Sequence, residues 1–229
     1  VAEGRLDERF IDLSVDRLLT LIDRTTRSDR GALPADLHDR RHLHDRHHRL
    51  ARRIAAAGAV LLKNDGPALP LAAGAQVAVI GELARTPRYQ GTGSSQVTPT
   101  RLESLLDGLA QYTDQVRFAP GYTLRDAPDP ALVDEAVALA REAGTAILCL
   151  GLTDLYESEA FDRPHMRLPA NQNALAEAVA AACDRVIVVL FGGSAVELPW
   201  ADRVKAILHM HLPGQAGGTA AADLLFGAE

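Results

Sequence analysis

From Asp7 to Thr25 the apolar positions Phe10, Ile11, Val15, Leu18, Leu19 and Ile22 return every three to four residues. That period predicts an amphipathic helix with one stripe to bury. Residues 27–41 are dense in charge and hold Gly31 and Pro34, which predicts a solvated linker. A second helix is predicted from His44 to Leu62, ending in the apolar run Val60-Leu61-Leu62, before the turn Asn64-Asp65-Gly66-Pro67 and the short segment Leu69-Pro70-Leu71. Strand-like runs then alternate with helix-like ones. The predicted strands are Gln76 to Gly81, Val116 to Ala119, Thr145 to Gly151, Arg185 to Phe191 and Ala206 to Met210. The predicted helices are Arg101 to Tyr112, Pro130 to Ala143, Ala170 to Cys183 and Gly217 to Phe226. Several strands are continuously apolar, as when helices cover both faces of a sheet, so the expected fold is α/β: a layered sandwich with a mostly parallel sheet flanked by helices, preceded by an isolated helix and linker.

The chain has 229 residues, of which 47% are hydrophobic and 24% charged, the composition of a globular α/β core. A formal charge of −6 argues against a broad nucleic-acid or anionic-membrane surface and favours neutral polar partners. No run reaches the length of a membrane span. The start, Val-Ala-Glu-Gly, lacks Met and a signal peptide's basic and apolar regions, and the chain ends straight after a predicted helix; both ends read as cuts. Cys149 in an apolar strand and Cys183 near a helix end are expected to be buried thiols, with no CxxC redox motif.

Candidate chemistry concentrates after the Cys149 strand, in Tyr156-Glu157-Ser158-Glu159-Ala160-Phe161-Asp162-Arg163. Ligands of open parallel sheets bind beyond the carboxyl ends of the strands. A carboxyl group on such a loop, with its pKa raised by partial burial or a neighbouring carboxylate, suits a general acid/base. The plainer reading is a solvated acidic tip, with Asp162 and Arg163 paired or capping the next helix. Gly91-Thr92-Gly93-Ser94-Ser95 has neither phosphate-loop order, so a polar loop packing on its neighbours or touching a neutral ligand fits better than an anion cradle in an unrelated nucleotide-binding domain. His38, His42, His44, His47 and His48 crowd one segment without a metal-site motif and read as a solvated basic stretch; no metal or cofactor is implied. Trp200 reads as a core-closing aromatic more than a sugar-stacking one. Ser194 lacks an evident base and no GxSxG elbow is present, so no Ser-His-Asp triad is built.

In order along the chain, Val60-Leu61-Leu62-Lys63-Asn64 with Leu69-Pro70-Leu71, Val77 to Gly81, Gly93-Ser94-Ser95-Gln96-Val97-Thr98-Pro99, Glu157 to Arg163 with Leu168 to Gln172, and Pro199-Trp200 with Pro213 to Gly218 resemble glycoside hydrolase family 3, the β-glucosidase and β-xylosidase family. The resemblance implies a barrel domain carrying a nucleophilic aspartate and an α/β sandwich whose loop supplies the acid/base glutamate. Residues 1–26 then correspond to the final helix of the barrel, 27–43 to the linker and 44–229 to the sandwich. It selects Glu159 as acid/base, with Glu157 in reserve, and Ser94, Ser95, Asp162 and Arg163 as substrate-binding. The implied partners are a β-linked oligosaccharide or an aryl or alkyl glycoside, and the barrel itself. This chain would be inactive alone for want of the nucleophile, and self-association through its uncovered faces is expected. The alternative is a non-catalytic carbohydrate-binding or docking module. The sequence departs from the family at Ala160, usually Gly, and at Ala216, often Glu; the first bears on the loop, since Ala tolerates positive φ poorly.

Overall fold

The computed structural model of the chain describes residues 4–26 and 37–229. Two compact units are present, Val1–Leu43 and His44–Glu229. In the first, α1 (Glu8–Thr26) is the helix its period predicts, and none of its side chains is buried. Helix α2 (Leu37–Gly58) begins inside the stretch read as linker and ends before the predicted Leu62. From residue 37 to 57 there is neither Gly nor Pro, and Arg, Leu and Ala propagate a helix readily until Gly58. Residues 27–36 of the predicted linker, with Gly31 and Pro34, lie outside the described residues.

The larger unit is built on one six-stranded sheet in the order β1-β6-β5-β4-β2-β3. Strands β2 (Val77–Ile80), β3 (Val116–Ala119), β4 (Ala146–Gly151), β5 (Val186–Phe191) and β6 (Ala206–His211) pair in parallel. Every residue of β2, β4 and β5 is buried, which explains their unbroken apolar sequence. β1 (Val60–Asn64) is the exception: the predicted helix end is instead an edge strand, antiparallel to β6, with Val60, Leu61 and Leu62 exposed. A short apolar run fits strand or helix equally by pattern, and here Gly58 ends the helix just before it.

Helices α3 (Leu105–Leu109), α4 (Pro130–Ala143), α5 (Ala170–Ala182) and α6 (Gly217–Phe226) complete the layers. α4 has a well-specified start and stop: Asp129 accepts from the N–H groups of Ala131 and Leu132, Pro130 opens the helix, and Gly144 closes it at φ 68°. Trp200 is fully buried and donates its Nε1–H to Asn173 Oδ1 at 3.0 Å, so it closes the core and presents no face to a sugar. Cys149 and Cys183 are buried free thiols, and burial pushes both upward in pKa. Of the histidine-rich stretch, His42, His44 and His47 are exposed and His38 lies outside the described side chains. His48 departs from the solvated reading: it is buried, with Nδ1 2.7 Å from Gln215 Nε2 and Nε2 3.0 Å from Glu103 Oε1.

The topology places the chemistry. β2 continues to β3 on one side, whereas β4 leads to β5 and β6 on the other, so the chain reverses its direction of travel between β2 and β4. Ligands of open parallel sheets bind beyond the carboxyl ends of the strands at such a switch point. The loops leaving those ends are residues 81–104, with the Gly91–Ser95 segment, and residues 152–169, with both candidate glutamates.

Candidate active site

The end of β4 is rigidly set before its loop begins. Gln172, fully buried at the start of α5, accepts from the Gly151 N–H at 2.8 Å and donates to the Gly151 carbonyl at 2.9 Å. Tyr122 OH adds a bond to the Cys149 carbonyl at 2.8 Å. Both ends of a buried backbone unit are thus satisfied by side chains, which fixes where the chain leaves the sheet. Farther along, Tyr156 donates its hydroxyl to Asp126, whose other oxygen accepts from the Asn171 N–H at 2.9 Å. The Asp126 bond and partial burial raise Tyr156 to about 12.

Residues Ser158 to Phe161 make a tight turn: Phe161 N–H donates to Ser158 O at 3.3 Å, and Ala160 holds φ 60°. Alanine therefore occupies the left-handed conformation that the sequence comparison with Gly had brought into question. Glu159 lies on this turn, exposed, with its N–H donating to Thr92 O at 2.8 Å. Its carboxylate Oε2 accepts the backbone N–H of Ser94 at 2.5 Å. The side-chain and backbone hydrogen bonds of Ser94 hold the Glu159 carboxyl below the usual carboxylate range. Gly93, at φ 125°, makes the approach possible, because a Cβ there would fall on the Glu159 side chain, 2.6 Å from Oε2.

Glu157 is placed quite differently. Its oxygens accept the Gly193 N–H at 3.0 Å each and the Ser194 hydroxyl, and Arg88 Nη2 stands 3.5 Å away. Those bonds saturate the carboxylate against the loop that follows β5. The two glutamates, two residues apart, thus have different partners: Glu159 takes Ser94 of the loop after β2, and Glu157 takes Gly193 and Ser194 of the loop after β5 together with Arg88.

Of the other sequence candidates, Ser94 is brought to Glu159, and Ser95 is exposed on the same loop. Asp162 and Arg163 are not brought to that carboxylate. They line a separate open cavity of about 640 Å³ with Glu157, Phe161 and Ser194, and Arg163 donates to the Ala195 carbonyl at 2.7 Å.

Sequence reasoning missed Arg88. It is buried and reaches Thr92, Asp154 and the Glu157 carbonyl at once, a convergence no local period announces. It also missed His209 and His211, whose rings lie tilted at 41° with centroids 4.0 Å apart beside Gly192. Burial and His211 push His209 below the ordinary histidine range, so it is neutral near pH 7. Among the described residues no group of His, Cys, Asp and Glu is arranged to hold a metal ion.

The arrangement can present one exposed carboxyl group on a loop beyond the carboxyl ends of the parallel strands, its backbone anchored by a facing loop. That is a means of delivering a proton to, or taking one from, a molecule lying above the sheet edge. The sequence model of the glycosyl hydrolase family 3 C-terminal domain matches residues 59–229. Thermostable β-glucosidase B of Acetivibrio thermocellus is 43% identical over 99% of this chain and 30% of its own length. The exo-α-(1→6)-L-arabinopyranosidase of Bifidobacterium breve is 44% identical over 99% of this chain and 31% of its own. The crystal structure of the Bifidobacterium adolescentis GH3 β-glucosidase superposes with a TM-score of 0.87 at 43% identity, covering 99% of this chain and 33% of that one. This chain therefore spans about a third of the length of the relatives it matches.

Proposed function

The chain belongs to glycoside hydrolase family 3, and on that premise we propose that it is the sandwich portion of a retaining β-glycosidase in which Glu159 is the general acid/base. Residues 44–229 form the sandwich, and α1 is the final helix of a barrel domain that brings the nucleophilic aspartate. In support, α1 carries Phe10, Ile11, Leu18, Leu19 and Ile22 exposed along its length, a stripe that needs a partner. One observation carries the acid/base reading: of the two candidate carboxylates, Glu159 is exposed on its turn, while Glu157 is consumed by Gly193, Ser194 and Arg88.

The chemistry divides into two halves. In the first, the aspartate attacks the anomeric carbon as Glu159 gives its proton to the leaving oxygen; in the second, Glu159 takes a proton from water as that water releases the sugar. Retaining pairs stand about 5 to 5.5 Å apart, which sets where the barrel's carboxylate comes to rest relative to Glu159. The hydrogen bond from Ser94 favours the ionised carboxylate, the state of the second half. For the first half the proton must be retained, so substrate and barrel displace that bond or bury the group. Named relatives differ in the sugar they release, a β-glucosidase beside an α-L-arabinopyranosidase, so the reading extends to terminal glycosides and leaves the sugar to the barrel.

The test is hydrolysis of aryl β-glycosides by the chain alone, by the chain assembled with its barrel domain, and by the assembly carrying Glu159→Gln. Activity confined to the unaltered assembly supports the reading. Turnover by the chain alone, or undiminished turnover with Glu159→Gln, ends it.

A further inference from the structure

Arg88 is 7% exposed, yet no chemical step assigned above uses it. A buried guanidinium is unfavourable unless carboxylates and carbonyls replace its water. Here Nη1 donates to Thr92 Oγ1 at 2.7 Å and to the Asp154 carboxylate, and Nη2 donates to the Glu157 carbonyl at 2.7 Å, with the Glu157 carboxylate 3.5 Å away. Thr92 Oγ1 itself donates to Asp154 at 2.5 Å, closing the knot.

These contacts bracket Glu159 from both sides. Asp154 and Glu157 precede it on its own loop. Thr92 belongs to the facing loop, where its carbonyl accepts the Glu159 N–H, and two residues on, Ser94 binds the carboxylate. A displacement of Arg88 therefore releases the acid/base loop and its cradle together. Resting on the reading of Glu159 given above, we propose that Arg88 is the positioning residue of the acid/base: it aims Glu159 at the leaving oxygen while touching neither substrate nor proton. The planar fork is what allows three acceptors in different directions; a lysine ammonium on its flexible stem reaches fewer of them in fixed geometry.

Leaving-group dependence separates positioning from general structural support. The 2,4-dinitrophenolate of a dinitrophenyl β-glycoside departs as a stable anion and needs no proton, whereas the alkoxide of an alkyl β-glycoside needs one to leave. In the chain assembled with its barrel, Glu159→Ala is expected to lose about 10²-fold or more in kcat/KM on the alkyl glycoside beyond its loss on the dinitrophenyl one. Arg88→Met is expected to show the same selectivity at about tenfold, since a misplaced group costs less than a missing one, with Arg88→Lys in between. Leu83, Leu124 and Leu155 share a cavity of about 320 Å³ with Arg88, so methionine has apolar neighbours to pack on. Should Arg88→Met fail to fold, Asp154→Asn, which weakens the same knot from the exposed side, carries the test. Equal losses on both glycosides in the Arg88 and Asp154 variants, beside a selective loss in Glu159→Ala, overturn the positioning role alone. Absence of selectivity in Glu159→Ala itself overturns the acid/base reading, and Arg88's role with it.

Discussion

Ser94 holds the Glu159 carboxylate through its backbone N–H at 2.5 Å, and the glycine before it leaves the space in which that contact forms. A methyl group at Gly93 would occupy the Glu159 side-chain position, and φ 125° is a conformation that L-residues rarely adopt. Gly93→Ala is therefore expected to displace Glu159. Both residues are exposed, so the fold should lose little, about 1 kcal/mol. In the chain assembled with its barrel, kcat for an alkyl β-glycoside should fall about tenfold or more. Unchanged kcat would mean that this contact is irrelevant to turnover.

The same contact has a pH signature. Glu159 is held below its ordinary carboxylate range by the Ser94 bonds, so its folded pKa lies below its unfolded one. A depressed carboxylate stabilises the fold above the unfolded pKa, and that contribution vanishes as pH falls through the folded pKa. Side-chain ¹³C titration of the chain should place Glu159 below the ordinary glutamate value, and Glu159→Gln should flatten the acid limb of the stability curve slightly. A Glu159 titration at or above the ordinary value would show the contact absent in solution.

Helix α1 should make the chain associate when no barrel is supplied. Phe10, Leu18, Leu19 and Ile22 are each more than half exposed on it, more apolar stripe than a lone surface helix keeps in water. Sedimentation of the chain should reveal concentration-dependent oligomers, and Leu18→Glu with Ile22→Glu should shift the distribution toward monomer. A strictly monomeric chain over the micromolar range would remove the argument that this stripe awaits a partner.

The sheet was legible because its central strands are buried on both faces, so pattern alone marked β4 and β5 within a residue of their bounds. β1 was hidden because Val60-Leu61-Leu62 is exposed at an edge; no alternation betrays its pairing with β6. At the site, spacing could not separate Glu157 from Glu159, since what distinguishes them is Gly193 and Ser194 on one side and Ser94 on the other. Arg88 was invisible for the same reason: its partner Asp154 is 66 residues away. Residues that hold a site together by long-range polar contacts leave no periodic trace, whereas buried strands do.

Asp223 tests how α2 is fastened to the sandwich. Arg52 grips it with Nε at 2.6 Å and Nη2 at 2.5 Å, and Tyr112 OH donates to the same carboxylate at 2.5 Å. The Asp223 side chain is only 4% exposed, so a lost partner leaves a buried charge. Arg52→Ala should cost about 2 kcal/mol, below the usual range for a buried pair because Arg52 is a third exposed. Tyr112→Phe, losing one bond to a charged acceptor, should cost about 1.5 kcal/mol. Urea unfolding measures both; losses under a few tenths of a kcal/mol would show the network to be replaceable by water.

Ala160 at φ 60° is the point where the Glu159 loop departs from what its own residue prefers. An L-residue in the left-handed region suffers about 1–2 kcal/mol from its Cβ against the following carbonyl. The turn persists because it is pinned on both sides, by Phe161 N–H to Ser158 O and by Glu159 N–H to Thr92 O. Ala160→Gly removes the Cβ clash but adds about 0.4–1 kcal/mol of unfolded-chain freedom, so a net gain of about 0.5 kcal/mol is expected. Ala160→Val, branched at Cβ, should lose stability instead and drag Glu159 from Ser94. The urea midpoint should therefore rise for glycine and fall for valine at unchanged m-value. If glycine lowers it, the alanine is not strained and some other feature of the turn selects its shape. If both variants keep the stability of the parent, the loop takes a different conformation in solution, and the placing of Glu159 against Ser94 falls with it.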